Sequence, residues 1–393
     1  MTVKPAARPA PRDHRLPDVR RQPRDHRLDV LRGIALVMIF INHVPGNLFE
    51  RLTSRNFGFS DAAEGFVLMS GIAAALAYSG GYSTKPFLEA AAASWRRART
   101  LFQVHLLISA MAISVVTLGI VFLGTHEMLK RINFMPLIES PVEALIGLPT
   151  LGHQLGYFNI LPLYTVLLLA LPAYMAIGRR SIPAMLAVAV SIWIAAGMFR
   201  LNLPNFPNSG GWFFNPVSWQ LLFAIGLAGG LAAKQGRKLI PYSPWIMALA
   251  AGYLVFSFAW AKLRMGAMPG HEVMPFFVTG YDKTFLALPR LLHVLALAYV
   301  LTNLDAVSRL LAHRAFAPIT LMGRNGLHVF ATGSVLAIVI QVAAEALGTN
   351  AAQNAILVVV GLYAQYAVAS YVAKKPAVRP AVIGEPAVAA RRA

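Results

Sequence analysis

A succession of long apolar segments constrains this chain more than any other feature. A helix needs about 20 apolar residues to cross the hydrocarbon core of a bilayer. Only 13% of the residues are charged, against about 25% in a typical soluble domain. The chain is therefore predicted to be an all-α, polytopic integral membrane protein with about ten transmembrane helices. The predicted spans lie at about 30–48, 61–79, 101–123, 157–177, 182–200, 215–233, 243–262, 285–303, 323–346 and 353–373.

The distribution of Lys and Arg predicts the orientation of these spans. If the N-terminus is cytoplasmic, the inner segments carry 24 Lys and Arg and the outer segments carry 8. Cytoplasmic loops carry an excess of these residues, so both termini are predicted to be cytoplasmic. The membrane domain occupies 28–373, between a basic tail at 1–27 and a second tail at 374–393, both predicted to be disordered. Segment 86–99 is too short to span and is predicted to form an amphipathic helix along the inner surface.

The composition also narrows the function classes. The net charge is +19. The basic residues concentrate in the tails and in alternate loops, where they orient the helices, so we expect no nucleic acid partner. The absence of cysteine excludes disulfides, iron–sulfur clusters and cysteine nucleophiles. We find no zinc-ligand spacing, phosphate-binding glycine loop or dinucleotide fingerprint, and we expect no metal site and no tightly bound cofactor.

Polar residues in the first predicted span point to a function. Arg32 and His43 are eleven positions apart, which places them on nearly the same helix face, about 16 Å apart along the axis. Arg32 would lie near the cytoplasmic side, where anchoring of the helix end to the lipid headgroups is an equally good interpretation. Asp29 shares its face and is able to pair with it. His43 would lie toward the outer side, and a histidine inside a span is a functional residue by default.

Further polar residues gather at the outer ends of the predicted spans. Asp61 and Glu64 lie on one face at the start of the second span, and either carboxylate is able to orient a neighbouring imidazole. For Asp61, a helix N-cap is an equally good interpretation. Residues contributed by other outer segments suggest a polar cavity open to the outside, although each also fits a structural hydrogen-bond network. They are Asn47, His153, Gln154, Trp219, Arg290 and His293.

A second polar set is predicted on the cytoplasmic side. Arg96 and Arg99 in "WRRART" and Arg324 in "GRNGLHVF" join Arg32 there. Guanidinium groups bind phosphate oxygens bidentately, so these arginines are candidates for holding a phosphorylated donor. The arginines of "WRRART" equally fit the positive-inside rule.

These motifs together resemble a known family. "LDVLRGIALVMIFINHVPGN" followed by "FGFSDAAEGFVLMSG" resembles the opening of the OpgC membrane proteins, which are similar to the acyltransferase-3 superfamily. That superfamily has an Arg and a His in its first helix, matching Arg32 and His43, and an R-x-x-R motif, matching Arg96 and Arg99. The resemblance implies acyl transfer from cytoplasmic acyl-CoA to a sugar hydroxyl outside a bacterial inner membrane. For OpgC proteins it implies succinyl-CoA as co-substrate and a periplasmic glucan as acceptor.

The resemblance and the residue pattern suggest one mechanism and leave two alternatives. The inner arginines would hold the CoA phosphates, and His43, oriented by Glu64 or Asp61, would act as general base or carry the acyl group. Arg290 would bind the succinyl carboxylate or the oxyanion. The first alternative is a transporter or flippase for a glycan or an anion, with His43, Glu64 and Arg290 at its substrate site and helices broken near the midplane. The second is a scaffold for a glucan-synthesis complex.

Overall fold

The computed structural model describes residues 26–375, which form a bundle of helices without a β-strand. The predicted all-α class is confirmed. Ten helices of 16 residues or more follow the predicted apolar segments in order. They are α1 His26–Asn42, α2 Ala62–Thr84, α3 Phe87–Leu118, α4 Ile160–Gly178, α5 Ile182–Met198, α6 Pro216–Lys234, α7 Pro244–Leu263, α8 Leu288–Asn303, α9 Gly326–Leu347 and α10 Ala351–Lys374.

Short helical segments occupy the connections between these helices. Two of them follow α1, four follow α3, one follows α7 and three follow α8. In chain order they are Leu48–Leu52, Ser54–Asn56, Gly119–Leu123, Met128–Arg131, Pro136–Glu139, Pro141–Gly147, Phe276–Thr279, Asp305–Leu311, Arg314–Phe316 and Ala317–Arg324.

The number of spans is smaller by strict criteria than the predicted ten. Within residues 26–375, seven helices are long and apolar enough to cross a membrane. An eighth span is added if α8 and Asp305–Leu311, which meet at 82°, count as one. Helices α1 and α5 have 17 residues each, so a total of ten stays a prediction. Except for residues 26–27 and 374–375, the two predicted tails lie outside the described residues.

The predicted surface helix at 86–99 is wrong. This segment is the first part of α3, which continues through a π-helical turn to Leu123 as one helix of 37 residues. Such a helix is about 55 Å long, whereas the hydrocarbon core is about 30 Å thick. The arginines of "WRRART" therefore lie on an extension of a spanning helix.

Close contact between α2 and α6 forms the centre of the bundle. About 78% of the most apolar stretch of α6 is buried inside the protein. Gly226 and Gly230 of α6 form a G-x-x-x-G pattern, in which small residues allow two helices to approach closely in a membrane. A Cβ atom at Gly230 would lie 2.5 Å from the Ala75 Cβ and 2.7 Å from the Ile72 carbonyl oxygen, both on α2. This packing holds together the two helices that begin beside the outer cavity.

Candidate functional site: an outer cavity around His43

A cavity of about 620 Å³ opens where several connections converge, at the end of the bundle that the sequence predicts to be the outer one. The end of α1, the start of α2 and the connections before α4, α6 and α8 line it, and Phe330 of α9 closes its inner side. Three of the residues predicted from the sequence line this cavity, namely His43, Asp61 and Gln154. The volume lies in the range of small-molecule sites, about 300–1,000 Å³.

His43 directly follows the last residue of α1 and lines the cavity. Its backbone carbonyl accepts a hydrogen bond of 2.8 Å from the Gln341 side chain of α9. Its imidazole packs against the Tyr157 ring, with the centroids 4.5 Å apart and the planes inclined by 44°. Tyr157 has φ +72°, a left-handed conformation that costs free energy in a bulky residue and concentrates at functional sites. The imidazole is therefore positioned by an aromatic contact.

The two carboxylates expected to orient His43 take part in another arrangement. Asp61 caps α2, because its Oδ1 accepts from the Ala63 amide at 2.8 Å, and Glu64 accepts from the Asp61 amide at 2.9 Å. This reciprocal capping box supports the N-cap interpretation of Asp61. Within residues 26–375, neither carboxylate is hydrogen-bonded to the His43 ring, although Asp61 acts on it electrostatically.

Glu64 and Arg290 form a buried ion pair behind the cavity wall. The Glu64 side chain is fully buried, and its Oε1 lies 2.5 Å from Arg290 Nη2 and 2.7 Å from Nε. Neither residue lines the cavity. The structure therefore supports neither the predicted contact of Glu64 with His43 nor that of Arg290 with the acyl group, and both roles stay predictions. A guanidinium held by a buried carboxylate positions the start of α2 against α8.

Lys283 is the cation that contacts Asp61 at the cavity, and the sequence prediction missed it. Its ammonium pairs with Asp61 Oδ2 and lies 5.4 Å from the centroid of the Phe214 ring. Burial would raise the pKa of Asp61, which precedes the helical span, but the charges of Lys283 and Arg290 lower it to about 2. Asp61 is therefore ionised at neutral pH. The position of Lys283 in an outer loop, just before Arg290, was a weak signal of this role.

Trp219 and His293 support the cavity from behind. Trp219 is buried, and its Nε1 donates a 2.9 Å hydrogen bond to the Lys283 carbonyl oxygen. His293 is buried, and its Nδ1 lies 2.6 Å from the Ser60 hydroxyl, next to the Asp61 cap. Neither side chain lines the cavity; both make positioning contacts, and their predicted contact with an acceptor stays a prediction.

Amide side chains form one wall of the cavity. Gln154 accepts from Asn159 at 3.1 Å, and its backbone carbonyl accepts from Asn133 at 3.1 Å. All three line the cavity, where amides offer both donors and acceptors to a ligand hydroxyl. His153 is buried beside them but does not line the cavity, and burial lowers the pKa of its imidazole.

Asn47 has a local structural role. It caps the short helix Leu48–Leu52 by accepting from the Phe49 amide at 2.9 Å. Its Nδ2 donates to the carbonyl oxygens of Ile41 and Val44. Because Asn47 is buried and does not line the cavity, the structure does not support its predicted contact with an acceptor. These bonds instead fix the chain immediately after His43.

The predicted inner arginines lie at the other end of α1 and on α3. Arg324 donates to Asp29 at 3.2 Å, which fixes it against the start of α1. Arg96 and Arg99 are exposed, and neither forms an ion pair within residues 26–375. Arg32 is in electrostatic range of the Tyr164 hydroxyl on α4.

Arg97 is the remaining arginine of "WRRART", and it is exposed as well. It was not among the predicted site residues, yet it acts electrostatically on the hydroxyls of both Tyr78 and Tyr164. Arg32 acts on Tyr164 as well. Arg32 and Arg97 are therefore both in electrostatic range of Tyr164.

The described residues offer no group of three or more His, Asp or Glu that could hold a metal ion.

Comparison with known proteins gives one result. A model of the OpgC protein family matches residues 24–376, nearly the whole chain. No curated protein and no solved structure gives a significant match. The family match includes both stretches that carry the resemblance, around His43 and around Asp61. The chain therefore belongs to the OpgC protein family, as its sequence predicts, and this membership indicates a transferase that modifies glucans.

Proposed function

We propose that this protein transfers a succinyl group from cytoplasmic succinyl-CoA to hydroxyl groups of a periplasmic glucan, in a bacterial inner membrane. The observation that carries the proposal is the position of His43 in the cavity, directly after the helix whose other end carries Arg32. Membership of the OpgC family supports acyl transfer to a glucan. The acyl group, the CoA donor and the direction of transfer belong to the proposal.

The outer cavity suits a glycosyl unit that presents a hydroxyl to His43. Sugar hydroxyls both donate and accept hydrogen bonds, as do the side-chain amides of Gln154 and Asn159 in the wall. Trp212 and Phe214 add aromatic faces to the opposite part of the lining. A mostly apolar cavity with a few convergent polar groups is typical of small-molecule sites.

The inner arginines suit the phosphates of a CoA donor. Arg32 and Arg97 converge on Tyr164, and Arg96 and Arg99 are exposed nearby on the same turn of α3. The phosphopantetheine arm of CoA would then extend along α1 toward His43, a distance of about 16 Å for eleven helical residues.

The proposed reaction is a direct acyl transfer. His43 accepts the proton of the glucan hydroxyl while the hydroxyl oxygen attacks the thioester carbon. The resulting oxyanion collapses, the carbon–sulfur bond breaks, and the proton held by His43 passes to the sulfur. The products are a glucan succinyl ester and CoA thiol. An acyl-His43 intermediate is a variant of this route, in which the imidazole attacks first.

Replacing His43 by Gln tests the proposal, because glutamine keeps hydrogen-bonding groups and loses the base. We expect succinylation of glucan to fall by at least about 100-fold, in the range of general-base contributions, with unchanged membrane insertion. His126→Gln is a matched control at an exposed outer position and is expected to retain activity. Normal succinylation by the His43→Gln protein would refute a catalytic role for this residue.

Proteoliposomes that contain the purified protein distinguish the transporter alternative. A transporter or flippase would move glycan or anion across vesicles without any acyl-CoA. The acyltransferase requires the donor and leaves an ester on the glucan. Glycan flux that is independent of the donor and abolished by His43→Gln would favour the transporter.

A further inference from the structure

We propose that Lys283 is the specificity-determining residue of the outer cavity, selecting a donor acyl group that ends in a carboxylate. This inference rests on the proposed acyl transfer and names the side chain that recognises the free end of the acyl group. From the sequence, Arg290 was predicted to bind the succinyl carboxylate or the oxyanion, but it does not line this cavity.

Lys283 is the less exposed of the two basic side chains that line the cavity. Two basic side chains line it, Lys283 and Arg55. Arg55 pairs with Glu50 at 2.5 Å, and its side chain is 45% exposed, so it lies in a well-solvated position. Lys283 is 24% exposed and packs against the Phe213 and Phe214 rings. An ion pair is stronger in such a partly desolvated position than at an exposed one.

The backbone that carries Lys283 is held rigidly. Trp219 donates to the Lys283 carbonyl oxygen at 2.9 Å. Trp193 donates to the carbonyl oxygens of Phe285 and Leu286 at 3.2 and 3.1 Å. Both tryptophans are buried, so two large side chains from α6 and α5 fix this loop. A charged group on a fixed backbone discriminates between ligands because it does not have to be ordered on binding.

The ammonium of Lys283 retains hydrogen-bonding capacity for a ligand. It has three N–H donors, and within the described residues Asp61 is its hydrogen-bonding partner. Asp61 also faces Arg290, whose Nη2 lies 3.6 Å from Asp61 Oδ2, so a second cation shares its charge. A ligand carboxylate is therefore able to join Lys283 without displacing Asp61.

Lys283 lines the same cavity as His43. Lys283 and Asp61 are the charged groups that act electrostatically on the His43 imidazole. In a succinyl group, three carbon–carbon bonds of about 1.5 Å separate the thioester carbon from the carboxylate carbon. A thioester next to His43 would thus place its free carboxylate within reach of the same cavity wall as Lys283. An acetyl group has no carboxylate to offer there.

A donor competition experiment tests this assignment. Purified protein receives equal concentrations of succinyl-CoA and acetyl-CoA with a neutral glucan oligosaccharide, and mass spectrometry gives the ratio of the two esters. We expect Lys283→Gln to lower the succinyl-to-acetyl ratio at least about tenfold, as the loss of a hydrogen bond to a charged group implies. Lys283→Arg should keep most of the preference. Arg55→Gln, the other basic residue of the lining, should leave the ratio unchanged.

The ratio of the two esters distinguishes a wrong assignment of Lys283 from a wrong proposed function. It does not depend on how much active protein each variant yields. An unchanged ratio in Lys283→Gln, or an equal loss of both esters with the ratio preserved, would overturn the assignment while leaving acyl transfer intact. A larger change in Arg55→Gln than in Lys283→Gln would overturn it as well. Formation of neither ester by the wild-type protein would refute the proposed function itself, and the inference with it.

Discussion

Replacing Gly230 by alanine tests the helix packing that supports the outer cavity. The added Cβ would lie 2.7 Å from the Ile72 carbonyl oxygen and 2.5 Å from the Ala75 Cβ. Ordinary contacts begin at 3.4 Å, so α2 and α6 have to separate by about 0.7 Å at the Ile72 carbonyl. The nearest oxygen belongs to the backbone of a helix, which is not able to rotate away as a flexible side chain does.

The separation should lower the free energy of unfolding by about 1–3 kcal/mol, the usual cost of overpacking a well-packed contact. Helix association in membranes depends on van der Waals packing and interhelical hydrogen bonds, so a gap along this crossing is not compensated by the hydrophobic effect. Alanine has a higher intrinsic helix propensity than glycine by about 1 kcal/mol, which partly offsets the loss.

Gly229→Ala is the matched control on the neighbouring residue, where a Cβ would meet only Ile72 Cγ1 at 3.9 Å. Equilibrium unfolding in mixed micelles with increasing SDS gives both free energies. We expect Gly229→Ala to be neutral or stabilising and Gly230→Ala to be destabilised relative to it. Equal stabilities of the two variants would refute the close crossing of α2 and α6.

Three further predictions concern the site. Arg290→Met should destabilise the protein by about 3–5 kcal/mol by leaving the Glu64 charge buried alone, and a second change, Glu64→Leu, should recover most of that loss in the same SDS titration. Arg97→Gln should raise KM for the CoA donor about tenfold or more without lowering kcat, as expected for the loss of a phosphate contact; an unchanged KM would contradict its place in the donor site. Tyr157→Ala should lower kcat more than it changes KM, because the imidazole loses the ring that positions it, while Tyr157→Phe keeps that ring and should remain active; equal losses in the two would show that the hydroxyl matters instead.

Most of the fold could be predicted from hydropathy. An apolar segment of about 20 residues has one low-energy conformation in a bilayer, a helix, so the starts and ends of helices such as α6 and α7 were predicted to within a few residues. The same logic failed at 86–99. Its arginines suggested a separate surface helix, but the sequence has no helix-ending residue before 101–123, and the structure has one continuous helix.

The site was only partly predictable, because sequence spacing indicates depth in the membrane but not pairing between helices. Depth alone predicted His43 and Asp61 at the same end of the bundle, and both line the cavity. It could not reveal that Glu64 pairs with Arg290, since 226 positions separate these two residues. Nor could it reveal Lys283, whose position depends on tryptophan hydrogen bonds from two other helices.

In the proposed reaction, one protein transfers a succinyl group from a donor on one side of the membrane to an acceptor on the other. The most direct measurement uses proteoliposomes that contain the purified protein and enclose glucan, with isotope-labelled succinyl-CoA added only outside. Mass spectrometry of the enclosed glucan then reports the transfer. We expect labelled succinyl esters on the enclosed glucan with wild-type protein and no labelled esters with the His43→Gln protein. Unmodified glucan inside intact vesicles, with wild-type protein and donor present, would contradict this expectation.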